Sequence, residues 1–177
     1  PGAGPQPTTA SEPKPKTHTP DPFTSMSNPS STPTRPPRIA LGADHGGVEL
    51  KKVIHSHLSD KGDVVTDFGA FSTESVDYPD FAEPVCKEVI NGKADFGILF
   101  CKSGIGMSIA ANRYPQIRAA LVHSVEDAAV TRQHNNANVL CLAAQETTPE
   151  EARKIVDAFL GSPFEGGRHE RRVEKLE

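Results

Sequence analysis

From residue 38 onward, short apolar runs alternate with segments of helical spacing. Arg38–Ala43 (RIALGA), Asp63–Phe68 (DVVTDF), Ala94–Phe100 (ADFGILF), Ile117–Val122 (IRAALV) and Asn138–Ala143 (NVLCLA) read as strands. Val48–Lys61 carries apolar residues at 50, 53, 54 and 58, which is a helical stripe. Phe81–Ile90 and Gly104–Arg113 also read as helices. Ser124-Val-Glu-Asp127 has capping-box form and opens a helix running toward His134. Thr148-Pro149-Glu150-Glu151 is a second box with proline at the first helical position, and that helix stops at Gly161 with Pro163 behind it. The charged tail Glu165–Glu177 reads as a last helix. Strands alternating with helices bury a parallel sheet on both faces, so the expected fold is α/β, a three-layer α/β/α sandwich on five parallel strands. The order of those strands is not readable from the pattern.

Residues 1–37 are different. They hold 11 of the 16 prolines and only four apolar side chains, Ala3, Ala10, Phe23 and Met26. Such a segment cannot offset the entropy of ordering itself, so it is expected to be a disordered Pro/Ser/Thr-rich arm ahead of a single domain at 38–177. The domain is acidic overall, within a chain of net charge −4, and tryptophan is absent. Neither suits a nucleic-acid surface. No apolar run is long enough to span a membrane. Three cysteines, Cys86, Cys101 and Cys141, form no CxxC pair, which points away from a disulfide framework or thiol zinc site and toward a reducing, cytoplasmic setting. His55 and His57 stand two apart on a helix and diverge, so they make no metal site. No cofactor is expected.

In open α/β sheets, ligands bind beyond the carboxyl ends of the strands. Three groups are expected there. Asp44-His45-Gly46-Gly47 follows the first strand, where a helix start favours an anion; its alternative reading is an Asp cap beside a surface histidine. Cys101-Lys102-Ser103-Gly104-Ile105-Gly106 follows the most apolar strand. Its glycines let backbone N–H groups converge on one oxygen, and the site favours a thiolate at its head. The alternative is a tight turn with a core cysteine. His134-Asn135-Asn136 closes a helix, where a protonated imidazole is favoured and suits a general acid, while Asn136 suits a left-handed cap. A fourth group, Gly166 to Arg172, sets Arg168 and Arg172 at i,i+4, which on a helix makes a two-guanidinium face for a phosphate. The alternative is a solvated charged helix.

These segments resemble the type B ribose-5-phosphate isomerase family, which includes galactose-6-phosphate isomerase subunits. GADHGG at 42–47, DYPDFA at 77–82, CKSGIGMSIAANR at 101–113, RQHNNAN at 132–138 and EGGRHERRV at 165–173 carry the resemblance. It implies a Rossmann-like sandwich, a homodimer or dimer of dimers, and metal-free interconversion of ribose 5-phosphate and ribulose 5-phosphate. By the same resemblance, Cys101 takes the position of the catalytic base, while the glutamate used by another branch falls at Met107. Ser103 assists proton movement, His134 opens the furanose ring, and Asp44 and Asn135 bind sugar hydroxyls. Lys102, Ser103, Gly104, Ile105 and Gly106 match the segment whose amides hold the enediolate. His45, Arg168 and Arg172 match phosphate contacts, the arginines reaching from a partner subunit. Gln145 replaces an arginine common in the family, which leaves hexose or tetrose phosphates as alternative substrates. A cysteine phosphatase is disfavoured because its C-x5-R loop would need arginine where Met107 stands. A cysteine hydrolase using Cys101 and His134 lacks any further signature. A non-catalytic sugar-phosphate sensor is the reading from another class.

Overall fold

The computed structural model describes residue 2 and residues 35–176. The chain divides into two units, residues 1–30 and 31–177, and the second carries every element below. The expected arm therefore falls almost wholly outside the described residues. Strands β1 (Arg38–Ala43), β2 (Val64–Asp67), β3 (Phe96–Cys101), β4 (Ala119–Leu121) and β5 (Val139–Ala143) form one parallel sheet in the order β2-β1-β3-β5-β4. Helices α1 (Val48–Asp60), α4 (Val125–Asn135) and α5 (Pro149–Gly161) pack on one another on one face; α2 (Pro79–Ile90) and α3 (Ile105–Ala111) cover the other. The three-layer expectation holds.

Alternation along each strand feeds two cores. Ile39, Leu41, Ile98, Phe100, Leu140 and Leu142 face α1, α4 and α5, while Ala40, Leu99, Cys101, Val139 and Cys141 face α2 and α3. Phe159 meets Phe96 edge-on at 5.6 Å between ring centres. The capping box at Thr148 and Glu151 is complete, with Glu151 N–H donating to Thr148 Oγ1 and the Glu151 carboxylate accepting from the Thr148 N–H at 3.1 Å. Ser124 makes half of its box, accepting from the Asp127 N–H at 3.0 Å. At the outer edge of β4, the Asn112 side chain accepts from the Ala119 N–H at 2.9 Å and donates to the Ala119 carbonyl at 2.8 Å. Among the described residues, no helix is long and apolar enough to cross a membrane.

The tail departs from expectation. Only Glu170–Val173 is α-helical (α6), followed by a 3-10 turn over Glu174–Leu176. Gly166 and Gly167 adopt φ of +64° and +56°, which breaks any helix begun at Glu165. Arg168 consequently sits in the turn before α6 and shares no helix face with Arg172.

Candidate functional site

Order β2-β1-β3 reverses direction at β1, so the helices leaving β1 and β3 go to opposite faces and open a crevice at their carboxyl ends. Asp44 enters it directly from β1. Its N–H donates to the Phe100 carbonyl at 3.1 Å, and its Oδ1 accepts from the Gly46 N–H at 2.9 Å. This is an Asx turn, with the helix cap falling to Gly47. Gly47 is required by proximity: a Cβ there would lie 2.5 Å from the Phe100 carbonyl oxygen. His45 is exposed, and its Nδ1 accepts from the Val76 N–H at 3.3 Å. In the neutral ring the proton therefore sits on Nε2.

Cys101 ends β3 at 4% exposure, and its Sγ accepts from the Gly104 N–H at 3.0 Å. Gly104 holds φ +72°, and a Cβ there would lie 2.4 Å from Leu121 Cδ1. The turn after Cys101 is thus built on a residue that only glycine can supply. Ser103 Oγ accepts a long 3.4 Å bond from the Ile105 N–H. Lys102 is exposed, and its carbonyl accepts from the Gln145 N–H at 3.1 Å. The Cys101 carbonyl accepts from the Ala144 N–H at 2.9 Å. Gln145, the residue at the arginine position, therefore borders the Cys101 loop. Gly106 packs against the Tyr78 ring, where a Cβ would lie 3.0 Å from Tyr78 Cζ, closer than ordinary van der Waals contact. Met107 is fully buried in the core. Burial pushes the Cys86 thiol up to about 12 and the Cys141 thiol well above its usual range. Both stay protonated and lie within the apolar core.

The expectation that His134 and Asn135 line this crevice is corrected. They occupy the last turn of α4, which leads into the amino end of β5 at Val139, whereas Cys101 pairs with Ala143 at its carboxyl end. Four strand steps separate those ends, about 13 Å. Asn136 is left-handed, φ 47°, as its cap role requires. Within one copy the expected site residues therefore fall into two separate groups. The first contains Asp44, His45 and the loop 101–106. The second contains His134, Asn135 and Arg172, which line a cleft of about 410 Å³ with His169 and Leu176, with Arg168 beside it.

Residue chemistry alone did not single out His169, Glu165 or Tyr78. His169 is 7% exposed and stacks on His134, ring centres 4.2 Å apart and planes within 5°. Burial first, then the neighbouring His134 and Arg168, lowers its pKa against the opposing pull of Glu165. The Glu165 carboxylate lies 3.7 Å from His134 Nε2 and 3.8 Å from His169 Nε2. The signal for this cluster is its i,i+4 spacing of acid and imidazole within the EGGRHERRV segment.

Comparison with known proteins follows the same outline. The family model described as Ribose/Galactose Isomerase matches residues 39–176. Ribose-5-phosphate isomerase B of Escherichia coli is 45% identical over 139 residues, covering 78% of this chain and 93% of that protein. A crystal structure of a ribose 5-phosphate isomerase from Thermotoga maritima is 51% identical with a TM-score of 0.78, covering 79% of this chain and 97% of the other. The Mycoplasma genitalium ribose-5-phosphate isomerase B, solved with bound ribulose-5-phosphate, is 48% identical with a TM-score of 0.75, covering 78% and 93%.

Proposed function

The chain belongs to the ribose/galactose isomerase family, and we propose that it interconverts ribose 5-phosphate and ribulose 5-phosphate through an enediolate at a site shared between two copies. Support comes from the crystal structure of its Mycoplasma genitalium relative with ribulose-5-phosphate bound, and from the chemistry of the two half-sites. Removing a proton next to a carbonyl is slow unless the charge spreads onto oxygen and meets preset donors. The loop 101–106 supplies backbone N–H groups around a turn that Gly104 fixes. Cys101 Sγ, already accepting from the Gly104 N–H, acts as thiolate, taking the C2 proton and returning it to C1. Ser103 assists that transfer.

Ring opening precedes it. His134 delivers a proton to the ring oxygen while Asp44, held by the Gly46 N–H, takes the hydroxyl proton. Asn135 binds a sugar hydroxyl; His45, Arg168 and Arg172 bind the phosphate and position the reacting carbons. The observation that carries the two-copy reading is the placement of Cys101 and His134 at opposite ends of one sheet. A homodimer, or a tetramer built from it, brings one copy's loop to another copy's His134.

Gln145 supports a second reading, an isomerase of a related hexose or tetrose phosphate, because a neutral amide stands beside the Cys101 loop where family members commonly carry a cation. A turnover assay across pentose, hexose and tetrose phosphates decides. Ribose 5-phosphate is expected to be converted fastest. Binding without conversion of any of them would overturn the isomerase and leave a sensor.

A further inference from the structure

Among the described residues, one group of His, Cys, Asp and Glu side chains is close enough to share a cation: His134, Glu165 and His169, whose ligand atoms lie within 4.8 Å of one another. We propose that these three side chains form a binding site for a divalent transition metal of the Zn²⁺ class, and that its occupation withdraws His134 and stops the isomerase. The inhibitory half rests on the reading of His134 as the ring-opening acid.

Two imidazoles and one carboxylate are a donor set for zinc, leaving a fourth position open. The stacked rings direct both Nε2 atoms toward one Glu165 oxygen, at 3.7 and 3.8 Å. Tetrahedral ligation needs about 3.4 Å between donor atoms. The separations to be closed run up to 4.8 Å, and half-exposed Glu165 and His134 are the side chains with room to move. The backbone already fixes the three positions relative to one another. The Glu165 N–H donates to the Gln133 carbonyl beside His134 at 3.0 Å, and the His169 N–H donates to the Gly166 carbonyl at 3.0 Å. His169 Nε2 accepts a long 3.4 Å contact from Arg168 Nε, so its lone pair, not a proton, faces the cluster. That guanidinium must swing away to admit a cation, and its own exposure allows this. Cys86 and Cys141, buried as thiols, do not compete.

The test titrates the full, EDTA-treated chain with Zn²⁺ against a chromophoric chelator and follows ribose 5-phosphate turnover in parallel. One Zn²⁺ per chain is expected, with affinity falling on the order of a hundredfold in Glu165→Gln and His169→Gln and unchanged in Cys101→Ala. Circular dichroism confirms that each variant is folded. Zn²⁺ is expected to abolish turnover of the unmodified chain reversibly, EDTA restoring it, while Glu165→Gln keeps turning over at the same Zn²⁺ level. Equal affinity in all variants, or loss of binding in Cys101→Ala, overturns the site. Binding through the triad without loss of turnover overturns the inhibitory half and the ring-opening role of His134 together. A chain that isomerises but binds no Zn²⁺ overturns the proposal and leaves the isomerase reading standing.

Discussion

Cys101 and His134 sit at opposite ends of one parallel sheet: Cys101 faces Ala143 where β5 finishes, and His134 lies ahead of Val139 where β5 starts. A strand of five residues keeps them apart in every copy of the chain. On the proposed mechanism their joint chemistry belongs to an assembly of copies, and it can be tested as one.

Cys101→Ala and His134→Gln should each be nearly inactive alone. Mixed after reversible unfolding, they should recover about a quarter of unmodified activity, because half of the random dimers are mixed and each mixed dimer contains one intact site. No recovery on mixing, with mixed dimers demonstrated by mass spectrometry, would place both groups in the same copy.

Cys101→Ala should lower kcat by about 10²- to 10⁴-fold, the usual range for a positioned acid or base, with KM nearly unchanged. Arg172→Ala should do the reverse, raising KM by about ten- to a hundredfold through loss of one charged hydrogen bond to phosphate while sparing kcat. Steady-state kinetics on ribose 5-phosphate separates the two.

Gly104→Ala should be costly for two reasons. The left-handed backbone at φ +72° costs about 1–2 kcal/mol with a Cβ present. The new methyl would also lie 2.4 Å from Leu121 Cδ1, so the turn must shift and take the N–H that Cys101 Sγ accepts with it. Urea unfolding should show the loss of stability, and turnover should fall beyond it.

Lys51 is 1% exposed, paired with Asp67 and lying 4.6 Å from the Phe71 ring centre. Lys51→Ala leaves Asp67 without its cation and should cost about 3–5 kcal/mol. Lys51→Met, which keeps the stem, should also destabilise, and Lys51→Met/Asp67→Leu should recover much of the loss in thermal melts.

Asp95 supplies an acid-stability prediction. Its carboxylate accepts from Arg35 Nη1 and Nη2 at 2.8 Å each and from the Arg38 N–H at 2.8 Å. Arg35 first, then Arg38, holds it well below the usual carboxylate range. A carboxyl depressed on folding stabilises above its unfolded pKa, about 4, and that contribution is lost as pH falls below it. Asp95→Asn should therefore lower Tm at pH 7 and flatten the decline of Tm below about pH 4.

The strand–helix alternation was legible because each buried strand is a short apolar run and each helix carries its own cap, as at Thr148. Strand order was not. IRAALV and NVLCLA are equally apolar, yet β4 is a half-buried edge and β5 a fully buried interior strand, since neighbours are chosen by crossovers and packing rather than by composition. The place of His134 follows from connectivity: a helix joining parallel strands runs against them and ends at their amino edge. Residue type alone suggested the crevice. The tail resisted reading because Arg168 and Arg172 have helical spacing, whereas Gly166 and Gly167 take positive φ ahead of them. Asp44 and the Cys101 loop lie at the carboxyl ends of β1 and β3 as expected, because both follow strands directly.

Asn112 finishes the sheet. By answering both the donor and the acceptor of Ala119, one side-chain amide takes the place that a sixth ribbon would otherwise fill. At Ala119 this edge thus offers an incoming strand neither a donor nor an acceptor, which blunts pairing of another chain alongside β4.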